Sequence, residues 1–439
     1  MIFYLVVFFF TTVLIYKLFS QVISQDLKLS LIIFSYFYLF YFYYPQFFLI
    51  LANDKNIPLS SEIFVTNEQN FIKILSYNLS FFLIFFLGAK LTDLIFEKKN
   101  KFLIKIKTFF NEDKSIQNYY NNLIKIFLAI CVFVFFINFS KVLLSDYSYQ
   151  QNQITNVGNY SFLLDMIFFF LYFYCFINRK NYSLLIIILI FSIFFTFYTN
   201  NKDWLIFALV GFLTMFYNIN KNLFTTTNLI IFLIFTFIFL FYFFPFFSVY
   251  RGSYDLIYTY NAIFKYNFRS IGDPGSSLAI LYLLSNGIVK LEYFNFLYNL
   301  TSFLPSNFRL NDDYGIMFAK EILGNNLKTG QGFSFSNLAE TIIYIKKYGL
   351  FFYFLIILVL GASYALFIKL IKFFTPINFN NFIIIFFSVF LSFIIVRSTT
   401  AGFFQFGIRY LIIIIILFAM TFLLRNIIYI IKKNVHKKK

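Results

Sequence analysis

Residues 349–373 read GLFFYFLIILVLGASYALFIKLIKF, and this run decides the fold class. It carries no charge before Lys369 and is apolar almost throughout. A helix needs about 20 predominantly apolar residues to cross the hydrocarbon core of a bilayer, and this run supplies them. Immediately before it lies KTGQGFSFSNLAETIIYIKKYGL (Lys328–Leu350), where Gly, Gln, Ser and Asn interrupt the oily background and a single Glu follows. The question is what a polar, glycine-flexed segment does at the edge of a membrane span.

Working outward, apolar blocks of about 17 to 25 residues recur along the chain. The 439 residues are 61% hydrophobic, 25% aromatic and only 12% charged, where a soluble domain has about a quarter of its residues charged. These features predict an all-α, polytopic integral membrane protein. Eleven spans are expected: 1–19, 29–51, 71–96, 122–144, 160–177, 182–199, 203–219, 226–248, 349–373, 378–396 and 408–430. No internal repeat is visible, so residues 1–439 read as one integral domain. The first span starts at Met1 without a cleavable signal pattern and is expected to stay as an anchor. Abundant Phe, Ile, Asn, Lys and Tyr is also what an AT-rich genome writes, so the rare residues (Arg, Gly, Pro, Asp, Glu) carry more information.

Lysine and arginine placement orients the spans, because short cytoplasmic loops collect positive charge. The 97–121 connection holds Lys98, Lys99, Lys101, Lys105, Lys107 and Lys114; Arg179 and Lys180, Lys369 and Lys372, and the tail from Arg425 to Lys439 follow on alternate connections. The C-terminus is therefore expected in the cytoplasm and the connection 249–348 on the outer face. The net charge of +18 reads as this topological signal plus affinity for anionic lipid headgroups, with no pattern that suits nucleic acid.

A connection of about 100 residues is expected to be structured and functional. Gly272-Asp273-Pro274-Gly275 reads as a turn, after which Ser276 or Ser277 caps a short apolar helix lying in the interface. Arg309 lies close to Asp312 and Asp313, a pair that suits a solvated turn or a catalytic carboxylate. Asn337 to Glu340 fits a capping box, with Asn337 as cap and Glu340 at the third helical position. That reading is compatible with Glu340 acting as a base toward a cavity. Gly330, Gly332, Ser334 and Ser336 have the composition of a backbone nest for phosphate.

Charges at membrane depth are costly and usually face a partner. Asp165 sits inside a span, and Lys202, Arg251, Arg397 and Arg409 reach one membrane face from four places, with Arg409 opening the last span. Guanidinium groups suit bidentate contact with a diphosphate at headgroup level; snorkelling to lipid phosphate is the plain alternative. Cys131 and Cys175 read as small buried hydrophobes with no disulfide or zinc spacing. The one histidine, His436, lies in the tail, which removes chemistry needing a buried histidine.

With those residues in hand, the chain resembles the bacterial O-antigen polymerase (Wzy) family of oligosaccharide repeat-unit polymerases. The resemblance rests on about eleven spans, one large outer loop in the C-terminal half, and Gly330, Gly332, Ser334, Ala339, Glu340, Tyr348 and Gly349 leading into the next span. Arg251 and Arg397 match the family's outer-face arginines, and Lys202 is a softer fit. The resemblance implies a glycosyltransferase of the bacterial inner membrane that makes O-antigen or a similar surface polysaccharide. A sugar hydroxyl of one undecaprenyl-diphosphate-linked unit would attack the anomeric carbon of another, releasing lipid diphosphate. A carboxylate takes the proton and cations stabilise the leaving diphosphate, with no metal or cofactor. On this reading Arg251, Arg397 and Arg409 bind diphosphate, Lys202 assists and Glu340 is the base, with Asp312 and Asp313 in reserve. Partners would be the lipid-linked oligosaccharide, membrane lipids, a chain-length regulator and a flippase. The rivals are an O-antigen ligase, which would want an outer-loop histidine, a lipid-linked oligosaccharide flippase, which would want short loops, and a dolichol-type glycosyltransferase, for which Asn53-Asp54 is a poor acidic motif.

Overall fold

A computed structural model describes residues 1–51, 56–59, 62–65, 68–98, 114–137, 273–287, 335–375 and 380–437, with isolated positions within 166–193, 246–261, 294–301 and 314–321. The described elements, in chain order, are α1 (Ile2–Val22), α2 (Gln25–Phe42), α3 (Tyr44–Leu51), β1 (Asn56–Leu59), β2 (Glu62–Val65), α4 (Glu68–Lys98), α5 (Lys114–Ile137), α6 (Asp273–Asn286), α7 (Asn337–Tyr348), α8 (Leu350–Phe373), α9 (Asn380–Arg397) and α10 (Thr400–Lys437). The described residues are helical apart from one antiparallel hairpin pairing Asn56 with Val65 and Leu59 with Glu62. Among the described residues, five helices are long and apolar enough to cross a membrane: Ile2–Val22, Leu27–Phe47, Glu68–Phe96, Leu350–Phe373 and Thr400–Ile428. The protein is a helical membrane protein, and the expected spans 160–177, 182–199, 203–219 and 226–248 lie outside the described residues save a few positions.

The boundaries differ from expectation for local reasons. The span expected over 29–51 is found as Leu27–Phe47, with α2 and α3 meeting at Tyr43, which keeps helical angles (φ −98°, ψ −37°). Pro45 has no N–H and would clash with the preceding turn inside a helix, but it sits easily in a first turn. Tyr43 N donates to Leu39 O (3.0 Å) to close α2, and Phe47 N donates to Tyr43 O (2.9 Å) to open α3. The last span begins at Thr400, not 408, so Arg409 lies in the third turn of α10 instead of opening it. Ala401, Phe403 and Gly407 are buried, and packing outweighs the cost of about 1 kcal/mol for a helical glycine. A Cβ on Gly402 would stand 2.2 Å from Ser398 Oγ, so that hydroxyl would have to rotate to admit a side chain. The Asp273-Pro274 pair, expected as a turn, starts α6. Ser276 and Ser277 lie inside this helix and not at its start, and Leu278 to Leu284 are all buried.

The chain packs into two compact units. The first comprises 1–95, 229–366 and 388–407; the second comprises 96–228, 367–387 and 408–439. In the first, α4 and α8 meet backbone to backbone at two glycines. A Cβ on Gly88 would lie 2.1 Å from Leu358 O, and one on Gly361 would lie 2.0 Å from Phe85 O. Small residues of this kind let membrane helices approach closely where no hydrophobic force drives them together. Thr92 Oγ1 adds a bond to Ala362 O (3.2 Å), and Ser80 Oγ meets Tyr353 Oη at 2.5 Å. Residues 80 and 92 of α4 therefore face 353 and 362 of α8, and the two helices run parallel.

A buried polar seam joins α2, α8 and α9. Tyr364 Oη donates to Ser30 O (2.9 Å) and meets Ser392 Oγ at 3.1 Å, while Ser388 Oγ donates to Ser30 Oγ (2.7 Å). Around it Phe34 stacks on Phe85 with ring centroids 4.1 Å apart. At the far end of α4, buried Asp93 grips the turn between α1 and α2. Its oxygens accept from Ser24 N (2.9 Å) and Ser24 Oγ (2.7 Å), and Lys90 bridges Asp93 (3.6 Å) to Val22 O. A buried carboxylate is tolerated there because the N–H and hydroxyl of Ser24, just ahead of α2, and a lysine satisfy it. In the second unit Phe169 packs on Phe386 (4.7 Å) and Tyr410 (5.5 Å), and Phe374 packs on Phe418 (5.3 Å). Cys131 of α5 is a half-buried free thiol.

Candidate functional site

The polar segment before residue 349 folds as α7, and its cap lies one residue earlier than the pattern suggested. Ser336 holds extended angles (φ −71°, ψ 156°) and its Oγ accepts from Ala339 N at 3.2 Å. Asn337 is thus the first helical residue and Glu340 the fourth, so the expected capping box does not form. The displacement has a physical reason. With Ser336 serving α7, the side chains of Asn337 and Glu340 are spent on the neighbouring helices.

Asn337 Nδ2 donates to Ile395 O (3.2 Å) and Ser398 O (3.0 Å), and its Oδ1 accepts from Thr400 Oγ1 (2.8 Å). A helix leaves its last four carbonyls without internal partners, and one amide here serves the end of α9 and the start of α10 together. Glu340 is fully buried. Its Oε2 accepts from Thr400 N at 2.6 Å, the first residue of α10, and its Oε1 accepts from the Tyr344 hydroxyl one turn along α7. A carboxylate at a helix N-terminus meets unpaired N–H donors and the positive end of the helix dipole. Tyr344 Oη lies 3.4 Å from Tyr314 Oη, which extends the buried polar chain. Burial, then the neighbouring Glu340 charge, push the Tyr344 hydroxyl well above the ordinary tyrosine range.

Arg397 closes α9, where a cation faces the negative end of that helix. It is half-buried, with its guanidinium 5.1 Å from the Phe393 ring centroid. Residue 397 belongs to the segment 395–400 that Asn337 and Glu340 hold from both sides. The fold thus brings Glu340 to the Arg397 turn. Arg409 is exposed and lies nine residues beyond Thr400 along α10, roughly 13 to 14 Å up the axis. Lys202, Arg251, Asp312, Asp313, Gly330, Gly332 and Ser334 lie outside the described residues.

Beneath α7 the aromatics pack on one another: Phe294 on Tyr314 (5.0 Å), Phe318 on Phe335 (5.6 Å), and Phe296 on Tyr344 (5.5 Å) and Phe352 (5.1 Å). Tyr344 and Thr400 went unremarked in the sequence. Tyr344 stands at the i+4 position from Glu340, a spacing that marks side-chain neighbours on a helix. Thr400 is 60 positions away, and no local signal links it to Glu340. Among the described residues no group of three or more His, Cys, Asp or Glu side chains is placed to hold a metal ion. Compared with protein-family models, with curated proteins and with solved structures, the chain matches none.

Proposed function

We propose that this protein is a membrane glycosyltransferase that polymerises undecaprenyl-diphosphate-linked oligosaccharide units at the outer face of a bacterial inner membrane, with its C-terminus in the cytoplasm. The observation that carries the reading is the lock between α7 and the Arg397 turn, made by Asn337 and Glu340. It joins the polar segment, on which the family resemblance rests, to a turn carrying a rare arginine. In this reading Arg397 works with Arg251, Arg409 and Lys202 on the donor diphosphate, and Gly330, Gly332 and Ser334 offer backbone donors to the same group. These groups stabilise negative charge as the C–O bond to diphosphate breaks.

Glu340 suits a positioning role better than the base. A general base must reach the proton that it abstracts, and both Glu340 oxygens are occupied in a site without solvent exposure. It holds the Arg397 turn in place, and removal of the acceptor's proton passes to Asp312 or Asp313. A chain-length regulator and a flippase would be the natural protein partners.

Deleting the gene in its host and resolving surface glycan by gel tests the function. Single repeat units left attached support a polymerase. Loss of all attached glycan points to a ligase, and units trapped on the inner face point to a flippase. A normal ladder refutes every arm of the proposal. Arg397→Ala in the restored gene is expected to leave single units while the protein remains at normal level in the membrane.

A further inference from the structure

Away from the Arg397 turn, a second set of cations gathers where α7 turns into α8. Lys346 and Lys347 are the last lysines of α7, and both are exposed. Gly349, at φ +86°, ends that helix and lets α8 begin at Leu350. Directly below, Leu350 and Phe351 are 70% and 78% exposed, and Phe354, Leu355 and Val359 continue the apolar stripe down the span.

Because α4 and α8 run parallel, the first turns of α4, which carry a third cation at Lys73, lie on the same side as the α7–α8 turn: Ser80, seven residues after Lys73, meets Tyr353, four residues after Gly349. Lys73 is exposed, and below it Leu83, Leu87 and Leu91 form the outward stripe of α4. Burial, and then the charge of Lys73, push the Lys346 ammonium below its ordinary value, so the two cations act on one another.

Both α7 lysines reach backbone carbonyls, and Lys347 also lies over the Tyr348 ring, 5.8 Å from its centroid. Lys346 Nζ donates to Leu284 O and Ser285 O, the C-terminal carbonyls of α6, and Lys347 Nζ donates to Phe294 O at 2.5 Å. An ammonium has three donors, and a carbonyl partner leaves its full positive charge in place. Among the described residues neither Lys73 nor Lys346 forms an ion pair with a carboxylate. Positive charge therefore stands immediately above two outward apolar stripes, the pattern of an anionic lipid with its headgroup above and its chains below.

We propose that the α4–α7–α8 corner binds an anionic phospholipid. Lys73, Lys346 and Lys347 hold its phosphate, and Leu350, Phe351 and Phe354 lie along its acyl chains. The site is independent of the glycan chemistry proposed above and of the Arg397 turn.

The test uses the full-length protein in detergent with equal phosphatidylglycerol and phosphatidylcholine of matched chains, and native mass spectrometry counts the bound lipids. Wild type is expected to retain phosphatidylglycerol in preference. Lys73→Gln should reduce that preference about fivefold, the contribution of one lysine near a membrane surface. Lys346→Gln/Lys347→Gln should reduce it further, and Lys346→Arg/Lys347→Arg should keep it. Because Lys73 holds no helix end, its variant remains informative if the double substitution loosens α6. Equal retention of the two lipids by wild type overturns the proposal. So does a preference unchanged in both Gln variants, or equal loss in the Gln and Arg pairs.

Discussion

Replacing Glu340 by Gln separates a positioning carboxylate from a catalytic base, because the amide can rebuild most of the bonding. Its oxygen can accept from Thr400 N, where Oε2 now stands at 2.6 Å. Its NH₂ can then donate to the Tyr344 oxygen, whose hydrogen turns toward Tyr314 Oη at 3.4 Å. Only the second N–H of the new amide gains no acceptor in this scheme. What disappears is the charge, which strengthens two hydrogen bonds and faces the start of α10, together roughly 2 kcal/mol. Glu340→Ala is different. It strands Thr400 N in a buried site, at about 1–3 kcal/mol, takes from the Tyr344 hydroxyl its charged acceptor, and leaves a cavity besides. We therefore predict that Glu340→Gln is modestly less heat-stable in detergent and keeps polymerisation within about tenfold of wild type. Glu340→Ala should lose both stability and polymer. Loss of a general base instead costs about 10²- to 10⁴-fold in rate. The assay is the rate of ladder formation in isolated membranes, normalised to folded protein. A Glu340→Gln protein of wild-type stability with more than about a hundredfold loss of rate would refute the reasoning and restore Glu340 as the base.

Other consequences follow from the same contacts. Gly361→Ala would force a methyl to within 2.0 Å of Phe85 O, so α4 and α8 must part; a destabilisation of about 1–3 kcal/mol or more is expected, read as a lower unfolding temperature. Asp93→Ala should cost about 2–4 kcal/mol by stranding Ser24 N, Ser24 Oγ and Lys90, whereas Asp93→Asn should cost less; protease cleavage near residues 22–25 reports the loosened turn. Because the folded-state Tyr344 hydroxyl is held above its ordinary value, its contribution to stability is complete below about pH 10. That contribution declines as pH rises past that value, by up to about 1.4 kcal/mol per unit, since the unfolded chain ionises first. Tyr344→Phe should make the alkaline fall shallower by one proton's worth, and an unchanged slope counts against the Glu340–Tyr344 bond.

Spans were legible because bilayer thickness dictates run length, and neither 349–373 nor 71–96 needed tertiary information. Helix ends were less so. The junction of α2 and α3 at Tyr43 was written in Pro45, but a hydropathy run passes over a single proline. The start of α10 at Thr400 is set by burial and by a carboxylate 60 positions away, neither of which is local to the span. Glu340 could be singled out because acids are rare here. Its partner could not, since bonds from α7 to the α9–α10 turn are set by tertiary packing. The pairing of Gly88 with Gly361 was equally invisible, as nothing local marks a glycine that will meet another helix.

The parallel register of α4 and α8 also constrains how the chain is threaded. Two spans that run the same way must enter from the same side of the bilayer. The chain leaves α4 on one side and must begin α8 on the other. The prediction is an odd number of crossings between Lys98 and Leu350. Any proposed topology can be checked against that parity, and a reporter fused after residue 98 should lie opposite one inserted before residue 350.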